Sequence, residues 1–502
     1  IRPGLPAEWN AASIDTPDVG YTYAYSDGVE SFDVRSRFGR PMRLRLQVPA
    51  RAAGVASVTS GGQPAEWKCV PRVGEPAIEI AVPEADGAQV RIRWQGDKPA
   101  TVQCPAIVGS GEPFTIGVGP AQLEEVKDPQ GALKDIKQEA ASLRATATGR
   151  LGHRTVFARV RQGSFSWWLP AMFEIRPPLE ISDATVDRTA GQVCFTLRNH
   201  TDRAISGPMQ AVCATARQKL PLQLAARSQA ALRLPASNLV PGTNPIALDL
   251  GDGQTVCGAV VDWHPPEEKQ PLSFECLDLK PAFNDRVTQI FKNEYRSPRS
   301  PYCSLQMPLH GFGDWCYGGR VPEPKIDDAL LRQAAGPQGR FTSPQGIPLA
   351  TPGPGQEPNV VFTSQWDNYP NEAAIVLAGR ASHAWFLVAG STHPMHSQLD
   401  NGEIVIAYED GGSQRLPLHN PTTWWPIERD YQLEIDGFCI PGPHPPRIDL
   451  GAGRATLLDL PLEADRPLKS LTVRCLANEV VVGLMSATLL RPDSQRAVPI
   501  ER

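Results

Sequence analysis

Residues 43–48 read RLRLQV. Successive side chains of an extended chain alternate, so Leu44, Leu46 and Val48 share one face while Arg43, Arg45 and Gln47 take the other. Two further runs repeat the pattern. AIEIAV (77–82) groups Ile78, Ile80 and Val82, and VRIRW (90–94) groups Val90, Ile92 and Trp94. Turn residues bound each run, and the opposite faces are polar, as in sheets with one buried side. Residues 1–105 therefore predict a β-sandwich.

Composition points the same way. A chain of 502 residues is long enough for about three or four domains, each burying its own core. Charged residues make up 21% and hydrophobic ones 41%, which is globular rather than disordered. The 50 prolines and 43 glycines favour many short strands joined by turns over long helices. A net charge of −5 gives no concentrated basic surface for nucleic acid. No apolar run is long enough to span a bilayer, since the longest, near NEVVVGLMSATLL, is broken by polar residues. The opening, IRPGLPAEWN, has neither an initiator Met nor a signal peptide. That fits a mature secreted protein or a piece cut from something longer, and the second is the expectation carried forward.

Along the chain, 106–180 reads as an irregular β segment. Within it ALKDIKQEAASLRATA has good helix formers, but KDPQG is a turn, so a helix and two exposed strands both remain open. Residues 181–265 predict an immunoglobulin-like sandwich, with alternation in VCFTLRNHTD, LPLQLAA and AALRLPA and a Gly-Asp-Gly hairpin signal at 251–253. A boundary follows at DWHPPEEKQP. Residues 271–502 open with a predicted helix over NDRVTQIFKNEY (284–295), a Pro-rich loop and a second helix over IDDALLRQAA (326–335). The strands beyond predict a jelly roll. The whole chain is predicted mostly β: several β-sandwich domains, the last a jelly roll, with two or three short helices.

The spellings GxSxG, HExxH, GxxxxGK[ST] and GxGxxG are missing, which argues against a serine hydrolase, zincin, P-loop or dinucleotide enzyme, and no cofactor is expected. Ten cysteines show no CxxC spacing. Cys194 sits in a strand-like run as a buried thiol would, and Cys303 with Cys316 is the candidate disulfide. His393 and His396 lie close enough to share a metal ion with Asp400 as third donor, although loop histidines beside a sheet are the commoner case.

Two tryptophan pairs stand out, Trp167-Trp168 and Trp424-Trp425. In a strand, one of each pair faces the core and the other the surface. An exposed indole suits the C–H face of a pyranose, with carboxylates and amides bonding its hydroxyls. The alternative is that the tryptophans seal joins between domains. FTSQWDNYPNE (362–372) is read as a strand ending in a turn, with Asp367 and Asn368 bonding the backbone and Pro370 fixing the exit. Trp366, Asp367, Trp424, Trp425 and Glu428 form the expected carbohydrate contact. Asp314, Asp367, Glu372, Asp400, Glu428 and Asp430 are carboxylates in loops or beside aromatics, and Asp367, Glu372, Glu428 and Asp430 are the catalytic candidates. Glycosidic cleavage needs two carboxyls roughly 5–9 Å apart, whereas acidic turn residues usually cap backbone N–H groups. A holding role is expected over chemistry.

AIVLAGRASHAWFLVAGST, IVIAYEDGGSQRLPL, HNPTTWW and the closing LPLEADRPLKSLTVRCLANEVVVGLMSATLL together resemble the galactose-binding-like jelly-roll modules of bacterial glycan-degrading enzymes. The order DPQGAL, TVFARVRQGSFSWWLP, SPRSPYCSL, FTSQWDNYP and NPTTWWPIE resembles, over about residues 106–502, the C-terminal half of large secreted bacterial proteins. Many of these are known only as domains of unknown function, and their middle region is similar to the (α/α)6 toroid of glycoside hydrolases. A toroid needs about a dozen helices, so the resemblance implies that the catalytic barrel lies outside these residues. It also implies a secreted or periplasmic location, a poly- or oligosaccharide partner and a catalytic domain elsewhere in a larger polypeptide. Two alternatives stand beside it: a self-contained carboxylate-dependent glycosidase or polysaccharide lyase with its site in 271–502, and a structural or adhesive multi-sandwich protein.

Overall fold

A computed structural model of the chain describes residues 1–502 except 7, 215, 252–254, 266–271, 294, 296, 298, 300–323, 394–395, 432–443 and 493–502. The fold is mostly β, as expected, with one short α-helix, Ala329–Ala335, among the described residues. Among the described residues no helix is long and apolar enough to cross a membrane. The chain divides into two compact units. The first is Ile1–Ser182 with Thr196–Gly207 and Pro221–Ala231; the second is Asp183–Phe195, Pro208–Leu220 and Leu232–Arg502. Cys303, Cys316, Asp314 and all of the Pro-rich loop but Ser297 and Arg299 lie outside the described residues, as do Asp252 and Gly253 of the hairpin signal. The described cysteines are free thiols, Cys194 half-buried among them.

The first unit opens with the alternating runs. Met42–Pro49 and Ala77–Ala85 pair antiparallel, and Leu46, Val48, Ile78 and Ile80 point inward with under 2% of their surface exposed. Their sheet joins one core with Tyr23, Phe32, Val90, Ile92 and Trp94 of a six-stranded sheet. Residues 107–176 are more regular than the sequence implies. A four-stranded sheet runs Ile107–Gly109, Phe165–Arg176, Gly152–Gln162 and Gln122–Lys127, and a three-stranded one runs Pro113–Gly117, Ser142–Ala147 and Leu133–Gln138.

The ambiguous ALKDIKQEAASLRATA is a pair of strands, not a helix. Asp128 fixes its start by accepting from the Ala132 and Leu133 N–H groups at 2.9 and 2.8 Å. Leu143, Ala145 and Ala147 then alternate into the core. Trp167 and Trp168 behave as adjacent strand residues must. Trp167 is buried, and Trp168 faces outward under the Lys127 ammonium, 5.0 Å from its ring centroid.

In the second unit the jelly roll packs two sheets. One holds Phe274–Cys276, Val481–Leu490, His383–Gly390, Arg454–Pro461 and Arg447–Asp449, with Val361–Ser364 pairing on Val481–Leu490. The other runs Glu372–Val376, Leu468–Cys475, Leu399–Tyr408 and Ser413–Asn420. Every residue of His383–Gly390 and Val481–Leu490 is buried, because the first sheet is covered on both faces. Phe386, Val388, Val482 and Leu484 meet the second sheet's core. Trp385, Leu387, Val481 and Met485 meet residues Val287 to Tyr369 on the back.

The predicted helix over 284–295 is replaced by a 3-10 turn, Val287–Gln289, and irregular chain. Side chains compete with the helix for backbone partners there. Asn284 donates to the Phe362 carbonyl and accepts from the Phe362 N–H, both at 2.8 Å. Asn293 turns back to Asp285 at 2.8 Å. The helix predicted at 326–335 forms over Ala329–Ala335, where Gly336 at φ 56° ends it. Within this unit Asp459 accepts from the Thr243 N–H at 2.7 Å and lies 2.8 Å from His383 Nε2. A Cβ at Gly242 would sit 2.6 Å from that carboxylate, so only glycine fits.

Candidate functional site

The QWDNYP stretch ends the strand Val361–Ser364 in a turn, closed by the Ser364 N–H on the Pro370 carbonyl at 2.9 Å. Trp366 is 5% exposed, its indole N–H donating to the Asn478 carbonyl and its ring standing edge-on to Tyr295. Asp367 is exposed, and accepts from Ser297 Oγ at 2.9 Å with Arg299 4.0 Å away. Beneath the turn, Tyr369 donates to Asp285 at 2.6 Å, and burial pushes its phenol far above the usual range. Trp366 is therefore a core anchor and offers no surface platform.

Trp424 and Trp425 are also inside. They follow the cis Asn420-Pro421 bond in a loop rather than a strand, so strand alternation does not turn one outward. Trp424 is fully buried against Gly390, and Trp425 is 9% exposed. The indole platform expected from Trp366, Trp424 and Trp425 is absent because all three rings fill core volume.

The same loop does bring together Trp425, Glu428 and Asp430. The ring of Trp425 packs on Tyr431 at 5.3 Å and His444 at 5.8 Å, with the Arg447 guanidinium 5.8 Å from its centroid. Arg447 donates to Asp430 Oδ1 at 3.0 Å, to Thr456 Oγ1 at 2.6 Å and to the Pro426 carbonyl at 2.6 Å. Arg454 takes the other Asp430 oxygen. Glu428 differs. Both its carboxylate oxygens are buried, no side chain among the described residues donates to them, and the nearest donor is the residue's own backbone N–H. Burial pushes its pKa up to about 7, against the pull of Arg429 and Arg447. Arg447 and Arg454 carry no sequence signal of this role, because they stand 17 and 24 residues from Asp430 along the chain.

Glu372 and Asp400 belong elsewhere, to a line of charge across the outer face of the second jelly-roll sheet. Arg474 donates to Glu372 and to Glu403, each at 2.8 Å. Arg415 bridges Glu403 to Asp400, and His419 Nδ1 lies 2.8 Å from Asp400. Burial works to raise Asp400, but hydrogen bonds from His419 and Arg415 outweigh it and hold the carboxyl below its usual range. Asp400 is thereby committed and does not join His393 and His396. His396 instead has Nε2 3.5 Å from Glu479. Among the described residues no group of three metal-ligating side chains converges.

No family model matches the chain, and no characterised protein matches it in sequence. Among solved structures, it is similar to a SusE-like protein at 11% identity, covering 62% of this chain and 96% of that one, with a TM-score of 0.22. It is similar to the adhesin InvE of Yersinia pseudotuberculosis at 12% identity, covering 40% and 71%, with a TM-score of 0.13. A biofilm-associated protein's BSP domain matches at 10% identity over 53% and 69%, with a TM-score of 0.14. At such scores no property of those proteins transfers to this chain.

Proposed function

We propose that this chain is the β-rich, carbohydrate-contacting part of a secreted glycan-degrading protein whose catalytic barrel lies outside these residues. The observation that carries it is Glu428, a carboxyl whose two buried oxygens receive no side-chain donor beside a guanidinium already anchored on Asp430. A buried acceptor without a donor is costly to a fold. Sugar hydroxyls supply donors of the right kind. The scarcity of helix supports placing a toroid elsewhere.

A second reading, carboxylate catalysis within this chain, draws on the contrast between Glu428, raised to about 7, and the doubly ion-paired Asp430. Carboxyls in such different surroundings can divide acid and base roles. Against it, both Asp430 oxygens are occupied by Arg447 and Arg454, leaving no free base or nucleophile.

The test is binding of xylan, galactomannan, laminarin and hydroxyethylcellulose to residues 1–502 in affinity gels, together with assay of released reducing ends. Glu428→Ala is expected to weaken binding of one glycan about tenfold, by loss of charge-assisted hydrogen bonds. Reducing ends released by the chain and abolished in Glu428→Gln would establish catalysis instead. No binding to any of the four would leave the adhesive or structural alternative.

A further inference from the structure

A different face carries a second, independent inference. On the outer side of the four-stranded sheet in the first unit, Trp168 is opposite Arg159, which is in turn opposite Glu125. Phe157 lies beside them, opposite Pro170 and Lys127. Trp168 and Phe157 are half-buried and Met172 is 69% exposed, so the face is open. Around the indole the polar groups are already ordered. Arg159 Nε donates to Ser166 Oγ at 3.2 Å, Ser166 donates to Glu124 at 3.0 Å, and Arg161 pairs with Glu124.

From these observations we infer that this sheet face is a glycan-binding platform, with a neutral pyranose stacked on Trp168 and its hydroxyls bonded by Arg159 and Glu125. The charges select the occupant. Lys127, Arg159 and Arg161 stand against Glu124 and Glu125 in close alternation. That mixture offers both donors and acceptors to hydroxyls, and its near balance of charge leaves little net field to hold a polyanion. The rings are single and rimmed by charge, which gives an apolar helix too little continuous surface. A sheet holds its outward side chains at fixed spacing, so the ring and its polar flanks are set before a ligand arrives. The Lys127 ammonium stands over the Trp168 ring. Its side chain is 62% exposed and its carboxylate partner is 3.8 Å off, so it is weakly held, and stacking of a sugar requires it to move off the ring.

Residues 1–502 are titrated with cellohexaose, xylohexaose and mannohexaose by calorimetry and run through gels containing the matching polysaccharides. Trp168→Ala is expected to weaken binding of at least one about tenfold, by loss of ring stacking. Trp168→Phe should restore part of it, and Lys127→Ala should tighten it by uncovering the indole. Circular dichroism checks that the variants fold. The inference is overturned if none of the probes binds, if Trp168→Ala binds like the parent, or if Lys127→Ala loses binding as Trp168→Ala does. A change of oligomeric state in Trp168→Ala without change in glycan binding would also overturn it, in favour of a contact between copies. Binding that falls in Trp168→Ala and not in Glu428→Ala belongs to this face, and the reverse overturns the inference, so the two sites fail separately.

Discussion

Glu428 ties one side chain's surroundings to the pH dependence of the fold. Its ordinary pKa of 4.5 is raised to about 7 because burial penalises the charged form more than Arg429 and Arg447 favour it. The folded chain then holds this proton more tightly than the unfolded one. The associated stability is fully present below about pH 4.5 and is lost as pH rises through about 7. A shift of this size corresponds to roughly 3 kcal/mol. Glu428→Gln keeps the shape without the charge, and should be more stable than the parent at pH 8 by up to about that amount, with the two equal near pH 4. Urea unfolding at the two pH values measures this. Profiles that stay parallel between them would show that Glu428 ionises without penalty. The same desolvated carboxyl is the group proposed to meet a sugar, so its cost in the free protein and its use in binding share one cause.

At the scale of elements, the strand His383–Gly390 ends where chain meets ring. A Cβ on Gly390 would lie 2.1 Å from the Val481 carbonyl and 2.6 Å from the Trp424 ring. The neighbouring strand and a fully buried indole cannot both give way. Gly390→Ala is expected to destabilise the jelly roll by at least about 2 kcal/mol; a variant within 0.5 kcal/mol (roughly the scatter for neutral surface changes) in urea unfolding would contradict this packing. Such close approaches are invisible in sequence, whereas strand faces are not. Leu46, Val48, Ile78, Ile80, Val90 and Ile92 all lie inside as their alternation demands, and Trp167 and Trp168 divide between core and surface. Alternation misleads for Trp424 and Trp425 because they are not in a strand. Helix propensity misleads at 284–295 because Asn284 and Asn293 bond chain far away in sequence. The partners of Asp430 are hidden for the same reason, since Arg447 and Arg454 stand 17 and 24 residues away in sequence.

Taken whole, the chain is two strand-rich units whose cores differ in kind. The first unit's sandwiches bury one face of each sheet, with alternating strands such as Gly87–Gln95. The second unit's central sheet is buried on both faces, with strands that are apolar throughout. Opening such a strand exposes two cores together, so its amides should exchange only by global unfolding of the unit. Hydrogen exchange followed by mass spectrometry is expected to find the slowest amides of the second unit in His383–Gly390 and Val481–Leu490. Faster exchange there than in Ser413–Asn420, at the sheet edge, would be inconsistent with that order.

The position of Val481–Leu490 also sets a timetable for the nascent chain. This strand is the shared neighbour of Phe274–Cys276, Val361–Ser364 and His383–Gly390, yet the ribosome makes it after all three. At typical synthesis rates the interval from His383 to Val481 is roughly 5–20 s. Throughout it, His383–Gly390 has Arg454–Pro461 as its sheet neighbour on one side at most and an open edge on the other. Newly made chains therefore wait with this strand half-paired, and its exposure to aggregation lasts until Val481–Leu490 is made.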